Sequence, residues 1–521
     1  LLFAQYSGKS RRHTITMLIG LLFSLLPMVN GARILLSTMD QGRSHASSFI
    51  PLAKRVQRSG NHSVHLQMTI YEKEIDLGLP VEYVELFGQP NPFVSKEFIE
   101  AMWEVDFDVL MQRMALGFGA RGCRLAVKNA KERVEAIADV GWDLAMVDSL
   151  FAVCGYGIAD RSGAPVVYMH SSDMEPAPGT MKAFGRNYGI LPMNHMTGGR
   201  DDFDPSNFFD RVHSTVEWMI SYYFYSIEWG ATMKEVLTPV TPSFDWRDFH
   251  RNLAFSFVDM PDSLFPPAPR TNDVFFHGAY CPAKKELPDE WRKFVEDPAS
   301  KGTIIVAFGT YVHWSLAPEE KREAFRLALN RLSSYRIVWA YKGVDDWRKP
   351  PIEVGSHIRL HSWIPQSALL AHPKTVLIMT HGGLKSVRES ICSAVPAIFM
   401  PFFAEQARNA YLVRRAGFAE MLDRHTIEER VVYEKIESVI SSSAHARAAK
   451  RFVKQMLDRP MDSLDEAAFH VKRLLKKRGV HGKPGMPSFF YPRGRLHGFI
   501  KYLNLDIIVA VPLALIAILT L

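Results

Sequence analysis

Short apolar runs that end in polar or small residues recur along the chain, with helical stretches between them. Arg33 to Thr38, Val64 to Ile70, Asp143 to Asp148 and Pro165 to His170 are such runs, and each reads as a buried strand. Phe49 to Arg58 and Leu150 to Ile158 have helical patterns and lie between them. Strand, helix, strand is the order that builds a parallel sheet. The pattern restarts at Thr303. Thr303 to Phe308, Arg336 to Tyr341, Ile358 to Leu360, Thr375 to Met379 and Ala397 to Met400 predict strands, and Pro318 to Leu332, Glu405 to Ala416 and Ala444 to Leu457 predict helices. Between the two units lies Asp259 to Tyr280, which holds Pro261, Pro266, Pro267, Pro269 and Gly278. Such a segment cannot continue a helix or a central strand, so it reads as a linker. Trp218 to Trp229 reads as a buried aromatic helix.

The two ends carry a different pattern. Met17 to Val29 is apolar, follows Lys9, Arg11, Arg12 and His13, and precedes the small residues Gly31 and Ala32. That is the order of a secretory signal. Ile507 to Leu521 is apolar throughout. It predicts part of a membrane helix, although a full span needs about 20 residues. Asn61-His62-Ser63 is a glycosylation sequon, compatible with a lumenal body. The predicted organisation is a leader over 1–32, a first α/β domain over 33–258, a linker over 259–280 and a second α/β domain over 281–458. C-terminal helices with a basic juxtamembrane segment over 459–504 and a membrane helix over 505–521 complete it.

Composition adds bounds. The 521 residues are 47% apolar and 22% charged, so large cores can be buried. Net charge is +7, with Lys472, Arg473, Lys476, Lys477 and Arg478 clustered near the C-terminus. A solvated helix face accounts for that run, and nucleic acid is not an expected partner. Cys123, Cys154, Cys281 and Cys392 include no Cys-x-x-Cys pair, so neither a zinc site nor a dense disulfide framework is expected. One bridge fits an oxidising compartment.

The densest chemistry runs from Trp363 to Gln406. Trp363 suits stacking on a flat base, and Gln366 offers both donor and acceptor to a pyrimidine edge or a ribose. After the strand Thr375 to Met379, the chain turns at His381-Gly382-Gly383 and enters a helix. Glycines let a phosphate approach the backbone, and a helix N-terminus offers unpaired N–H groups. Ser386 and Glu389 lie three apart, on one helix face, where Glu389 can accept from ribose hydroxyls. Together these groups suit a nucleotide-activated sugar. The co-substrate expected is a UDP-sugar, with no further cofactor.

Trp363-Ile364-Pro365-Gln366, His381-Gly382-Gly383, Ser386, Glu389 and Pro401 to Gln406 resemble the signature of the UDP-glycosyltransferases. The likeness is to the animal membrane-anchored branch that includes the UDP-glucuronosyltransferases. It implies a GT-B fold: two Rossmann-like parallel-sheet domains facing a cleft, here with a C-terminal transmembrane helix. It also implies inverting transfer of a sugar to a small lipophilic acceptor without a metal, at the endoplasmic reticulum membrane with lumenal domains. By the same resemblance, Gly309-Thr310 is the phosphate-side loop, and Glu405 and Gln406 meet sugar hydroxyls. Two positions depart from the pattern. Lys385 stands where Asn or Gly is common, and Glu405 stands where Asp is common. Those departures keep a second reading in view, a catalytically inactive UDP-sugar-binding membrane protein.

His45 follows the first strand, and Asp148 ends a later one. Taken alone, each is ordinarily a surface or capping residue. The resemblance makes His45 the base that deprotonates the acceptor, and Asp148 is then placed to orient its imidazole. Arg270 is a candidate partner for a sugar carboxylate, and Phe87, Phe93, Trp103 and Phe184 are candidate walls of an acceptor pocket. Membrane lipid and further copies of the chain complete the expected partners. Two other motifs are set aside. Gly117 to Gly122 fits Gly-x-Gly-x-x-Gly but lies in a helical pattern, and Asp202-Phe203-Asp204 lies in a polar loop with no strand to position a metal.

Overall fold

A computed structural model describes residues 31–91, 96–106, 108–171, 173–174, 187–190, 203–265, 268–342, 351–476, 486–491, 493–497, 499–502 and 504–520. The expected signal Met17 to Val29, and Phe93, Phe184 and Asp202, lie outside these residues.

Thirteen strands among the described residues form two parallel sheets. The first contains β1 (Arg33–Ser37), β2 (Ser63–Ile70), β3 (Val81–Glu85), β4 (Leu144–Asp148), β5 (Val166–His170), β6 (Phe255–Val258) and β7 (Val274–Phe276). The second contains β8 (Thr303–Ala307), β9 (Arg336–Ala340), β10 (Ile358–His361), β11 (Thr375–Thr380), β12 (Ala397–Phe399) and β13 (Ala419–Met421). Strand order is β3-β2-β1-β4-β5-β6-β7 in one and β10-β9-β8-β11-β12-β13 in the other. Every described pairing is parallel, as in Ile34↔Leu144 and Ala307↔Thr380. The chain runs outward on one side of β1, then returns to its other side as β4, and the second sheet repeats this at β8 and β11. Such reversals leave a crevice at the carboxyl ends of the two central strands, where open α/β sheets bind ligands.

The strands expected from apolar runs are present, with ends shifted by a residue or two. β3, β6 and β13 were not foreseen, and the stretch read as a linker holds β7, the edge of the first sheet. An edge strand of three residues tolerates flanking prolines that a central one does not. The helix after β1 runs Arg43–Gly60, longer than its apolar pattern, and ends on Asn61 in the left-handed region (φ 52°). Asn61 is exposed there. Gly117 to Gly122 lies inside the helix Val109–Ala138, as its periodicity requires.

The C-terminal segment departs further from expectation. Helix Ser463–Lys476 buries Leu464, Ala467, Ala468, Val471 and Leu474 beside Ile34 and Leu66 of the first domain. Lys472 Nζ donates to Ser59 O at 3.2 Å, and Arg55 pairs with Asp465. The chain therefore returns to the first domain after completing the second. Helix Leu505–Thr520 has no buried residue. Its 16 residues rise about 24 Å, against a hydrocarbon core of about 30 Å, and no helix among the described residues is long and apolar enough to cross a membrane.

Two disulfides form, Cys123–Cys154 and Cys281–Cys392, where the sequence allowed for one and did not say which. Their wide sequence separations, 31 and 111 residues, hid the pairing. The aromatic stretch Trp218 to Trp229 is only half buried. Trp218, Tyr225 and Trp229 face inward, whereas Met219, Tyr223 and Ile227 are exposed.

One buried carboxyl within helix Phe208–Tyr223 gives a direct test of the packing. Glu217 is 5% exposed, and its Oε1 has no hydrogen-bond partner among the described residues. Burial, with Asp108 adding to it, pushes its pKa up to about 8. The folded protein thus holds a proton that the unfolded chain releases near pH 4.5, and stability is lost as pH rises through about 8. Glu217→Gln is expected to melt above the wild type at pH 9, by the equivalent of a few kcal/mol, with the gap closing at pH 5. Melting curves that stay parallel between those pH values would show an ionised, solvated Glu217.

Candidate active site

The first-sheet crevice lies between β1 and β4. His45 sits in the first turn of the helix that follows β1, and its Nδ1 lies 2.8 Å from Asp148 Oδ2 at the end of β4. Asp148 is fully buried, and its other oxygen accepts from the backbone N–H groups of Leu150 (3.0 Å) and Phe151 (3.4 Å). Its capping and orienting roles thus coexist on different oxygens. With Nδ1–H donated to Asp148, the imidazole lone pair resides on Nε2. Phe151 packs edge-on against the ring at 5.0 Å and fixes its tilt.

The second-sheet crevice lies between β8 and β11. Gly309 follows β8 with φ 79°, and His381 follows β11. The His381 ring lies between two glycines. A Cβ on Gly309 would stand 2.7 Å from its Cε1, and one on Gly383 would stand 2.6 Å from its Nε2. Either contact is too close for a real side chain, so both positions must lack one. Burial pushes the pKa of His381 down to about 4. His381 is therefore neutral in the ligand-free protein near pH 7 and offers a hydrogen bond, not a charge. Thr380 Oγ1 lies 3.2 Å from its Nδ1. Gly382, at φ 91°, is held by the Asn409 side chain, whose Nδ2 donates to its carbonyl at 3.0 Å. Asn409 had no signal in the sequence except its place one turn after Glu405.

Helix Leu384–Ser393 begins at Gly383 and carries Ser386 and Glu389, both buried. Gln366 Nε2 donates to Glu389 Oε2 at 2.6 Å and to Ser386 Oγ at 3.2 Å, and Ser367 Oγ donates to Glu389 Oε1 at 2.6 Å. Glu389, expected to await a ribose, is already an acceptor for two protein groups, and only its remaining lone pairs can serve a ligand. Trp363 is 60% exposed, as a stacking platform needs to be. Thr310 is exposed in the same crevice. Gln406 Oε1 accepts from Phe402 N (3.0 Å) and Phe403 N (3.2 Å), so it shapes the Pro401 to Glu405 loop. Ala404 in that loop has φ 55°, and Glu405 follows it half-buried. Lys385 is exposed.

The two crevices face each other. Arg43, two residues before His45, places its guanidinium 5.7 Å from the Trp363 ring centroid, and Lys342 Nζ lies equally far from that ring. Trp103, expected in an acceptor pocket, is instead buried between the domains against Trp314 (5.0 Å) and Phe402 (4.8 Å). Its size suits a domain junction better than a solvated wall. Arg270 lies over Phe276, 5.6 Å from its centroid, and Phe87 is exposed. Asp204 accepts from Ser206 N and Oγ, both at 2.8 Å, in a turn. No cluster able to hold a metal occurs among the described residues.

Two facing parallel sheets with reversal points on a common cleft define the GT-B glycosyltransferase architecture. The same fold occurs in the calicheamicin glycosyltransferase (TM-score 0.56, 18% identity, 85% of this chain and 99% of that one). The glycotransferase of kitacinnamycin shares it (TM-score 0.55, 16% identity, the same shares of each chain). Residues 43–519 match the family described as UDP-glucoronosyl and UDP-glucosyl transferase, and the chain belongs to that family. UDP-glucuronosyltransferase 2A2 of Homo sapiens is 26% identical over 363 residues, which are 69% of this chain and 65% of that protein. The match thus spans just under two thirds of this human relative. UDP-glucuronosyltransferase 1A3 of Rattus norvegicus is 24% identical over 492 residues, 89% of this chain and 87% of that protein.

Proposed function

We propose that this chain is an inverting UDP-glycosyltransferase. It moves a hexose, glucuronate or glucose, from a UDP-sugar to a hydroxyl of a small lipophilic acceptor. The observation that carries the reading is the His45–Asp148 pair, with Arg43, two residues before His45, lying over the Trp363 ring of the second domain.

The uracil stacks on Trp363, the ribose meets Glu389 and Gln366, and the diphosphate lies at Gly309, Thr310 and the start of helix Leu384–Ser393. Glu405 and Gln406 face the sugar. The acceptor oxygen attacks the anomeric carbon as His45 Nε2 takes its proton, and Asp148 stabilises the imidazolium that forms. The bond from that carbon to the diphosphate oxygen breaks with its electron pair. UDP leaves with its charge met by backbone N–H groups and the His381 N–H. One displacement inverts the anomeric centre. Glucuronate is favoured as the sugar by the names of the relatives, and glucose is the alternative.

Membrane lipid is the proposed second partner. Helix Leu505–Thr520 exposes Ile507, Val511, Leu515 and Ile518, and Phe209, Val212, Val216 and Met219 make an exposed stripe at helical spacing. Two disulfides and an exposed sequon at Asn61 support a lumenal body in the endoplasmic reticulum.

One experiment tests both proposals. The protein is incubated with phospholipid vesicles, labelled UDP-glucuronate or UDP-glucose, and a panel of phenols and sterols, and the vesicles are then floated. A glycosylated product and protein in the floated fraction are expected. UDP binding without product from either donor would favour the inactive, sugar-nucleotide-binding reading.

A further inference from the structure

Helix Leu384–Ser393 has a second functional face. Ser386 and Glu389 face the donor site, while Arg388 and Cys392, four residues apart, face the first domain. Arg388 is 5% exposed along its side chain. Its guanidinium donates to Asp259 Oδ1 and Asp259 O, both at 2.6 Å, to Tyr280 OH at 2.7 Å and to Gly278 O at 3.2 Å. It also lies 4.4 Å from the Tyr280 ring centroid. Asp259 follows β6, and Gly278 and Tyr280 follow β7, so every partner belongs to the edge of the first sheet or its exit. One helical turn further on, Cys392 is bonded to Cys281, the residue after Tyr280.

The surroundings are apolar. Val258, Met260, Val274, Phe276, Val387 and Ile391 belong to one continuous core. His277 also lies beside Asp259, at 3.6 Å, and burial keeps it neutral with a pKa of about 3. A buried ion pair in such a place adds little stability over apolar residues of the same volume. What it adds is direction. Four hydrogen bonds from one planar group fix how the edge of the first sheet seats on the helix more narrowly than packing does.

We propose that Arg388 is a positioning residue for sugar transfer. Together with the Cys281–Cys392 bridge, it locks the donor-binding helix to the edge of the first sheet. That lock sets where the anomeric carbon lies relative to His45. The inference rests on the glycosyltransferase reading for its catalytic consequence, while the lock itself is a matter of domain geometry. Donor contacts such as Glu389 to Gln366 lie wholly within the second domain. Loosening the lock therefore misplaces one domain against the other without dismantling the UDP site.

The test compares the wild type, Arg388→Lys, and the double variant Arg388→Met/Asp259→Leu. The double variant removes both charges at similar volume, so no unpaired charge is left buried. Melting temperature, UDP affinity by calorimetry, turnover at saturating donor and small-angle scattering are measured for each. The double variant is expected to melt near the wild type and to bind UDP within about twofold. Its turnover should fall by roughly ten- to a hundredfold, the scale of loss that a small misplacement produces. Its scattering should show a wider spread of domain placements, with Arg388→Lys between the two. Wild-type turnover and scattering in the double variant overturn the proposal. A UDP affinity that falls in step with turnover also overturns it, because the damage then lies inside the donor site. Should the double variant not fold, Cys281→Ser/Cys392→Ser cuts the other tie, and the same split is expected. A wild type that neither binds UDP nor transfers sugar refutes the glycosyltransferase reading instead, and the scattering comparison still decides the lock.

Discussion

His45→Ala is expected to lower turnover by about 10²–10⁴-fold while UDP affinity stays near the wild-type value. The two effects separate because the residues lie on opposite walls of the cleft. His45 and Asp148 hang from β1 and β4 of the first sheet, and the groups proposed for UDP hang from β8, β11 and the helix after it. An acceptor hydroxyl is a poor nucleophile at neutral pH, so the loss of a placed base falls on the chemical step. Asp148→Asn is the companion variant. It keeps the shape, but its amide cannot stabilise an imidazolium, and it can reverse the ring's tautomer. Turnover in Asp148→Asn should fall towards that of His45→Ala, and the double variant should cost little more than either alone, since the pair acts as a unit. Near-wild-type turnover in His45→Ala, with a saturating acceptor, would remove His45 from the reaction.

Glu389→Ala is expected to do the reverse. It should weaken UDP by roughly a hundredfold and change turnover at saturating donor much less. The carboxylate accepts from Gln366 and Ser367 at 2.6 Å, and it is buried. Removing it takes away the acceptor proposed for the ribose and leaves two polar side chains without the group that orients them. Hydrogen bonds to a charged group are worth about 1.5–3 kcal/mol each, so losing one or two of them gives a change of that size. Glu389→Gln keeps the shape without the charge and should fall between. Calorimetric titration with UDP checks this directly, and an affinity equal to the wild type would place the ribose elsewhere in the cleft.

Much of the site was legible because its residues are close in sequence. Trp363 and His381 follow strands and Gln366 begins a helix within one βαβ run, Glu389 lies in the helix that comes next, and local patterning places such ends reliably. Less legible was what those groups do to one another. Nothing in the order of residues shows that Glu389 is engaged by Gln366 and Ser367, that Gln406 closes its own loop, or that Asn409 holds Gly382. Trp103 was misplaced for the same reason. It stands in the first half of the chain, yet it packs on Trp314 and Phe402 in the second.

By itself the sequence determined the two parallel sheets, because continuous apolar runs of strand length, alternating with amphipathic helices, can be buried only between two helical layers. It also determined the order of the groups proposed for the donor after β10 and β11, since those follow the chain. The tertiary structure alone decided what depends on distant residues meeting. It set Asp148 against His45 across 103 positions, tied Arg388 to Asp259 across 129, and carried helix Ser463–Lys476 back onto the first domain. Hydrogen bonds and ion pairs act over a few ångströms of space and carry no trace of sequence separation, so their partners are fixed only when the sheets dock.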